Sequence, residues 1–319
     1  MLEIKGKQIF ITGGAGFIGT QLITKLADKN KIVIYDNLLR NSIIKTNLLN
    51  HPNVRLIEGD ILDFNKLKDS IKASNIVIHL AAIAGVSATL ESPVTTMTVN
   101  IIGTYNILKA AHLINNLERL IITSTSEVFG TYAYKVEETQ ETAQGYVGEA
   151  RWRYAVSKLA VEHFSRSYFD EFKMPTVNIR PFNVYGPGQV GEGAIHNFII
   201  KAINNEDLIV HGDGSQIRAW CYIDDFIDGF LMCLDNPNAI GNVFNIGNPR
   251  STITIYNLAK LIIQIAKSES KIVFKPIDYT DIEIRIPSIE KAKKVLKFEP
   301  KVELEEGIEK TIEWYRKNR

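Results

Sequence analysis

Through its first half the chain alternates short apolar runs with amphipathic stretches, and few architectures accept that order. Gln8-Ile9-Phe10-Ile11, Ile32-Val33-Ile34-Tyr35, Val54-Arg55-Leu56-Ile57, Ile76-Val77-Ile78-His79, Leu120-Ile121-Ile122 and Thr176-Val177-Asn178-Ile179 read as strands. Most are nearly unbroken apolar runs, the pattern of a parallel sheet covered on both faces. Helical periodicity falls between them, near 17–28, 62–72, 94–115 and 153–173. The alternation predicts an α/β fold with a doubly wound parallel sheet that binds ligands at its carboxyl edge. After Arg180-Pro181-Phe182-Asn183 the elements shorten, and Gly and Pro become more frequent. Helices are expected near 194–204, 224–235, 255–267, 288–296 and 303–317, in a smaller C-terminal α/β lobe.

Composition removes several classes of function. The formal net charge is +1 and no block of like charges occurs, which argues against nucleic acid or an anionic membrane as partner. No apolar run approaches the length of a membrane span, and Met1-Leu2-Glu3-Ile4-Lys5-Gly6-Lys7 lacks the apolar core of a signal peptide. The two cysteines, Cys221 and Cys233, have neither metal nor redox spacing. A cytoplasmic protein with reduced thiols is expected. The six histidines show no ligand spacing, so no metal is expected.

The first strand runs directly into Gly13-Gly14-Ala15-Gly16-Phe17-Ile18-Gly19 and then a helical pattern. Gly13, Gly16 and Gly19 permit a tight turn on which a diphosphate can approach the backbone, with Phe17 and Ile18 opening the helix. The second strand ends at Tyr35-Asp36-Asn37. A carboxylate there accepts hydrogen bonds from an adenosine ribose and repels a 2′-phosphate, so NAD is favoured over NADP. Asp60-Ile61 after the third strand and Leu80-Ala81-Ala82 after the fourth would line the adenine and diphosphate. Residues 1–180 are therefore read as an NAD-binding Rossmann domain. Residues 181–319 are read mainly as a substrate lobe, with some segments returning to the first domain.

The fifth strand ends in Thr123-Ser124-Thr125-Ser126-Glu127, and Tyr154-Ala155-Val156-Ser157-Lys158 follows on a helix. Residues at i and i+4 share a helix face, so the Lys158 ammonium can stabilise a Tyr154 phenolate. Moving a phenol from a pKa of about 10 to about 7 takes roughly 4 kcal/mol. One charge about 4 Å away at an effective dielectric of about 20 supplies that much. Thr125 and Glu127, two apart on an extended segment, are expected on one face and able to address one sugar.

Taken together these motifs resemble the extended short-chain dehydrogenase/reductase family, in its nucleotide-sugar-modifying group. The resemblance continues through Asn100-Ile101-Ile102-Gly103-Thr104, Asn183-Val184-Tyr185-Gly186-Pro187, Gly212-Asp213-Gly214-Ser215-Gln216-Ile217-Arg218 and Arg285-Ile286-Pro287-Ser288. It implies that Tyr154 deprotonates the sugar 4-hydroxyl while hydride passes to NAD, with Lys158 on the nicotinamide ribose and Thr125 at the same sugar oxygen. It also implies that Arg218 and Arg285 clamp the diphosphate, that Asn183 and Ser87 touch the substrate, and that His211 lies beside the base. Related enzymes often pair through the helices at 94–115 and 153–173, so a homodimer or higher homo-oligomer is expected.

A 4-keto sugar has three fates. Hydride return to its other face gives 4-epimerisation. Loss of water across C5 and C6 gives 4,6-dehydration. A C6 carboxylate gives decarboxylation instead. Thr125-Ser126-Glu127-Val128-Phe129-Gly130 resembles the dehydratase pattern, with Ser126 assisting and Glu127 acting on the C5 proton. Glucuronate decarboxylases also carry Ser-Glu, and Arg151-Trp152-Arg153-Tyr154 resembles the approach to the tyrosine in a bacterial one. The leading expectation is an NAD-dependent 4,6-dehydratase, a lyase, on a UDP-N-acetylhexosamine such as UDP-GlcNAc. A 4-epimerase of UDP-hexose or UDP-glucuronate, a UDP-glucuronate decarboxylase and an NAD-binding regulatory scaffold are the alternatives.

Overall fold

The computed structural model describes residues 4–277 and 279–318. Seven parallel strands form the main sheet, in the order Val243–Ile246, Thr176–Pro181, Arg119–Thr123, Ile76–His79, Gln8–Thr12, Lys31–Asp36, Val54–Glu58. The order reverses between Gln8–Thr12 and Ile76–His79, so a crevice opens there at the carboxyl ends of the strands. This is the doubly wound Rossmann sheet expected from the alternating pattern. Its middle strands are apolar throughout because both faces are covered: Ile9, Phe10, Ile11, Val77, Ile78, Ile121 and Ile122 have no exposed surface.

Local chemistry sets the helix ends. Asp63 caps Phe64–Ile71 by accepting from the Lys66 amide, and Thr254 caps Ile255–Ala266 through the Asn257 amide. Pro93 opens the long helix Pro93–Ala111, where its missing N–H costs nothing. The helix Trp152–Phe172, which carries Tyr154 and Lys158, stops at Lys173 in the left-handed conformation.

The two halves of the chain exchange strands. Val243–Ile246, from the second half, closes one edge of the main sheet beside Thr176–Pro181. Tyr132–Val136, from the first half, pairs with Ile284–Pro287 in a four-stranded sheet completed by Ile217–Ala219 and Thr252–Thr254. In that sheet Arg218 lies directly beside Arg285. Cys221 and Cys233 are unpaired and buried, and burial pushes both thiols up. Among the described residues no helix is long and apolar enough to cross a membrane.

Candidate active site

The glycine turn folds closely onto its neighbours. Gly13 has φ +68°, and a Cβ there would sit 2.6 Å from the Ala81 nitrogen. At Gly19 a Cβ would sit 2.5 Å from the Gly14 Cα. The helix Phe17–Leu26 begins at Gly16 with no side-chain cap, which leaves its first N–H groups for an anion. Asp36 is buried at the strand end and accepts from the amides of Ala15 (3.0 Å) and Leu38 (2.7 Å). Burial raises its pKa, and those amides act against the rise. Asn37 and Asp60 are exposed beside it, and Ile61 packs underneath. A side-chain-free turn, an uncapped helix start and a strand-end carboxylate fit the diphosphate and ribose of NAD. Leu80, Ala81 and Ala82 border the turn from the next strand, with the Ala81 amide 3.4 Å from the Thr12 hydroxyl.

Behind Leu80 runs a buried polar chain. Thr12 Oγ1 lies 2.7 Å from His79 Nδ1, and His79 Nε2 lies 2.9 Å from Thr104 Oγ1. Burial, helped by the Lys158 charge, lowers the His79 pKa from 6.5 to about 3. The folded state therefore binds fewer protons than the unfolded state between those values, and stability falls as pH drops below 6.5. The expected loss from pH 7 to pH 5 is about 2 kcal/mol. Urea unfolding at the two pH values measures it. A His79→Gln variant should lose this share of the slope, and an unchanged slope removes His79 as its source.

Thr125 and Glu127 come together, but not as alternate positions on a strand. Ser126–Phe129 forms a single 3-10 turn, and the Glu127 amide donates to the Thr125 hydroxyl at 3.2 Å. The turn is braced by Gln144, whose amide donates to the Val128 carbonyl at 2.8 Å. Ser126 is buried within it. Tyr154 reaches this turn from its helix, with its hydroxyl toward the Thr125 side chain. Burial raises the phenol pKa, Glu127 raises it further, and Thr125, Arg285 and Arg40 work the other way. The Lys158 ammonium is held at the strand end. Its Nζ donates to the Thr123 carbonyl at 2.8 Å, and burial lowers its own pKa to about 8 against the Glu162 charge. Asn100 ties the site together by bonding both the Ile83 backbone and the Ser157 hydroxyl.

Arg285 Nη1 stands 3.4 Å from Glu127 Oε1, so this arginine faces the Thr125–Tyr154 group. Arg218 pairs instead with Asp281 at 3.5 Å. Arg151, one helical turn before Tyr154, reaches the same Asp281 oxygen at 3.2 Å. Residue type alone gave no sign of it, because an arginine at a helix start normally lies in solvent. Asn183 has φ +42° and donates to the Ala219 carbonyl at 2.8 Å, beside the Arg218 strand. Ser87 is exposed, with its amide 3.3 Å from a Glu192 oxygen. His211 ends the strand Leu208–His211, exposed and in contact with none of the other candidates through a side-chain hydrogen bond.

Comparison with known proteins places the chain in a family. The model of the NAD dependent epimerase/dehydratase family matches residues 9–247. The UDP-N-acetyl-alpha-D-glucosaminuronate decarboxylase of Bacillus cytotoxicus is 33% identical, over 97% of this chain and 98% of its own. The dTDP-D-glucose 4,6-dehydratase of Bos taurus is 35% identical, over 98% of this chain and 89% of its own. The crystal structure of the UDP-glucuronic acid 4-epimerase of Bacillus cereus, solved with UDP-glucuronic acid and NAD, superposes with a TM-score of 0.87. It is 30% identical and covers 98% of this chain and all (100%) of its own. The chain thus belongs to the NAD dependent epimerase/dehydratase family, whose members act on nucleotide sugars with NAD as cofactor.

Proposed function

We propose that this chain decarboxylates a UDP-linked hexuronate, with UDP-glucuronate and its 2-N-acetylated counterpart as the substrates to test. The observation that carries this reading is the Arg285–Glu127 pair beside Tyr154. A buried guanidinium at the sugar end of the site suits a C6 carboxylate far better than a neutral hydroxymethyl group. The decarboxylase relative of Bacillus cytotoxicus, matched along nearly its full length, supports the same choice.

Bound NAD supplies the acceptor and donor of hydride. Tyr154 takes the proton of the 4-hydroxyl and later returns it, while Thr125 holds the same oxygen. Arg285 receives the C6 carboxylate of the resulting β-keto acid. The Glu127 charge crowds that carboxylate and favours its departure. The C5–C6 bond then breaks, carbon dioxide leaves, and the electron pair passes to the C4 oxygen as an enolate that is reprotonated at C5.

A second reading is the 4,6-dehydration of a UDP-N-acetylhexosamine that the sequence puts first. The Glu127 carboxylate, whose charge reaches the Tyr154 hydroxyl, favours it, as a base for the C5 proton. Product mass separates the readings when UDP-glucuronate, UDP-N-acetylglucosaminuronate and UDP-N-acetylglucosamine are each offered. Loss of carbon dioxide from a uronate is expected. Loss of water from the hexosamine, with both uronates untouched, overturns decarboxylation. An unchanged mass with inverted C4 marks an epimerase, and inert mixtures mark a scaffold. The reaction is assigned to the cytoplasm. A homodimer is assigned through the helices Pro93–Ala111 and Trp152–Phe172, whose Ile102, Tyr105, Val156 and Phe164 are exposed.

A further inference from the structure

We infer that Arg151 joins Arg218 in holding the substrate diphosphate, and that Asp281 occupies the place of that anion until a nucleotide sugar displaces it. This rests on the nucleotide-sugar chemistry of the family and is independent of the bond broken at C6. Three arginines from three segments meet here, and all are buried: Arg151 (7% exposed), Arg218 (8%) and Arg285 (4%). Among the described residues two carboxylates answer them. Asp281 Oδ1 lies 3.2 Å from Arg151 and 3.5 Å from Arg218, while Glu127 takes Arg285. Arg151 Nε and Arg285 Nε and Nη2 are buried without a hydrogen-bond partner. Leaving charged donors buried and unpaired is costly, so the cluster is built around a further anion.

Charge decides how that anion is received. Arg151 and Arg218 share the single charge of Asp281, whereas a diphosphate ester brings about two negative charges, one per phosphate. Balance is reached when Asp281 withdraws and these two guanidinium groups face the diphosphate, while Arg285, paired with Glu127, is left to the sugar end. The residue is suited to leave. Its side chain is 22% exposed, more than either arginine it touches, and residues 279–283 form neither helix nor strand. Its backbone neighbour is anchored: the Thr280 amide donates to Glu149 at 3.0 Å, and Glu149 also accepts from the Trp152 indole at 3.0 Å. The side chain can therefore turn away while the segment stays on the helix of Tyr154. An adjoining cavity of about 540 Å³, lined by Gln216, Thr280, Asp281 and Glu283, gives it room.

The test is calorimetric titration of UDP, dTDP and GDP into the NAD-loaded protein, as wild type, Arg151→Gln and Asp281→Asn. Arg151→Gln is expected to weaken the bound diphosphate about 10- to 100-fold, with NAD affinity unchanged. Arg151→Lys keeps the charge but loses the fork, serves if the glutamine variant does not fold, and is expected to lose less. Asp281→Asn is expected to tighten the same diphosphate several-fold, since no carboxylate has to be displaced. A weaker diphosphate in Asp281→Asn makes Asp281 an organiser of the arginines and overturns the displacement. Full affinity in both Arg151 variants removes Arg151 from the site. A wild-type protein that binds none of the three diphosphates sinks the nucleotide-sugar assignment itself, a result distinguishable from either variant's outcome.

Discussion

Replacing Tyr154 by Phe is expected to lower kcat about 10³-fold while nucleotide-sugar affinity stays nearly unchanged. The substitution removes one hydroxyl and keeps the ring. That hydroxyl lies toward Thr125 and in the field of Glu127 and Arg285, so it is the group placed to carry the sugar proton. In the free protein burial and Glu127 hold it as a phenol at neutral pH. The Lys158 ammonium, with a pKa of about 8, sits behind it at the Thr123 carbonyl. Lys158 is charged below about pH 8 and neutral above it, so a rate that depends on this cation falls as pH rises through that value. Single-turnover rates and calorimetric affinities across pH 6 to 10 would separate the two effects. Retention of more than about a tenth of kcat in Tyr154→Phe excludes the phenol as proton carrier. A loss confined to KM makes it a binding group.

How much of this was legible beforehand depended on whether the cause was local. The inner strands were readable because burial on both faces demands an unbroken apolar run, and Ile9-Phe10-Ile11 and Ile76-Val77-Ile78 meet that demand within a few residues. Val243–Ile246 lies among the short elements of the second half, outside the β-α alternation that marks the other strands, and Asn245 interrupts it. That amide is buried only because Val136 and Ser288 accept its hydrogen bonds from distant parts of the chain. The glycine turn was legible since strand, turn and helix are contiguous. The partners of Arg151 and Lys158 were not. Spacing put Lys158 on the Tyr154 face of the helix, but the Thr123 carbonyl that captures it belongs to a neighbouring strand. Arg151 owes its burial to Asp281, far along the chain. Thr125 and Glu127 were expected together for the wrong reason, because a 3-10 turn begins where strand alternation was assumed to continue.

Glu162→Gln is expected to cost about 3–5 kcal/mol of stability, since it strands a buried guanidinium. Arg180 donates to both Glu162 oxygens, Nε at 2.9 Å and Nη2 at 2.7 Å, and its Nη1 reaches the Glu138 carbonyl at 3.3 Å. The Phe129 ring lies 4.8 Å from the same guanidinium. The pair joins the helix of Tyr154 and Lys158 to the strand Thr176–Pro181, one turn beyond Lys158. Denaturant midpoints measure the cost, and a double change to Glu162→Leu with Arg180→Met should recover most of it, because the apolar pair no longer strands the guanidinium. A second readout tells a structural loss from an electrostatic one. Glu162 is the charge that holds the Lys158 pKa up against burial. Its removal should move the alkaline limb of the rate below about pH 8, since the ammonium then loses its proton earlier. The double variant, stable but still lacking the carboxylate, should keep the shifted limb. If stability and pH limb recover together, Glu162 acts on the reaction only by holding the helix in place.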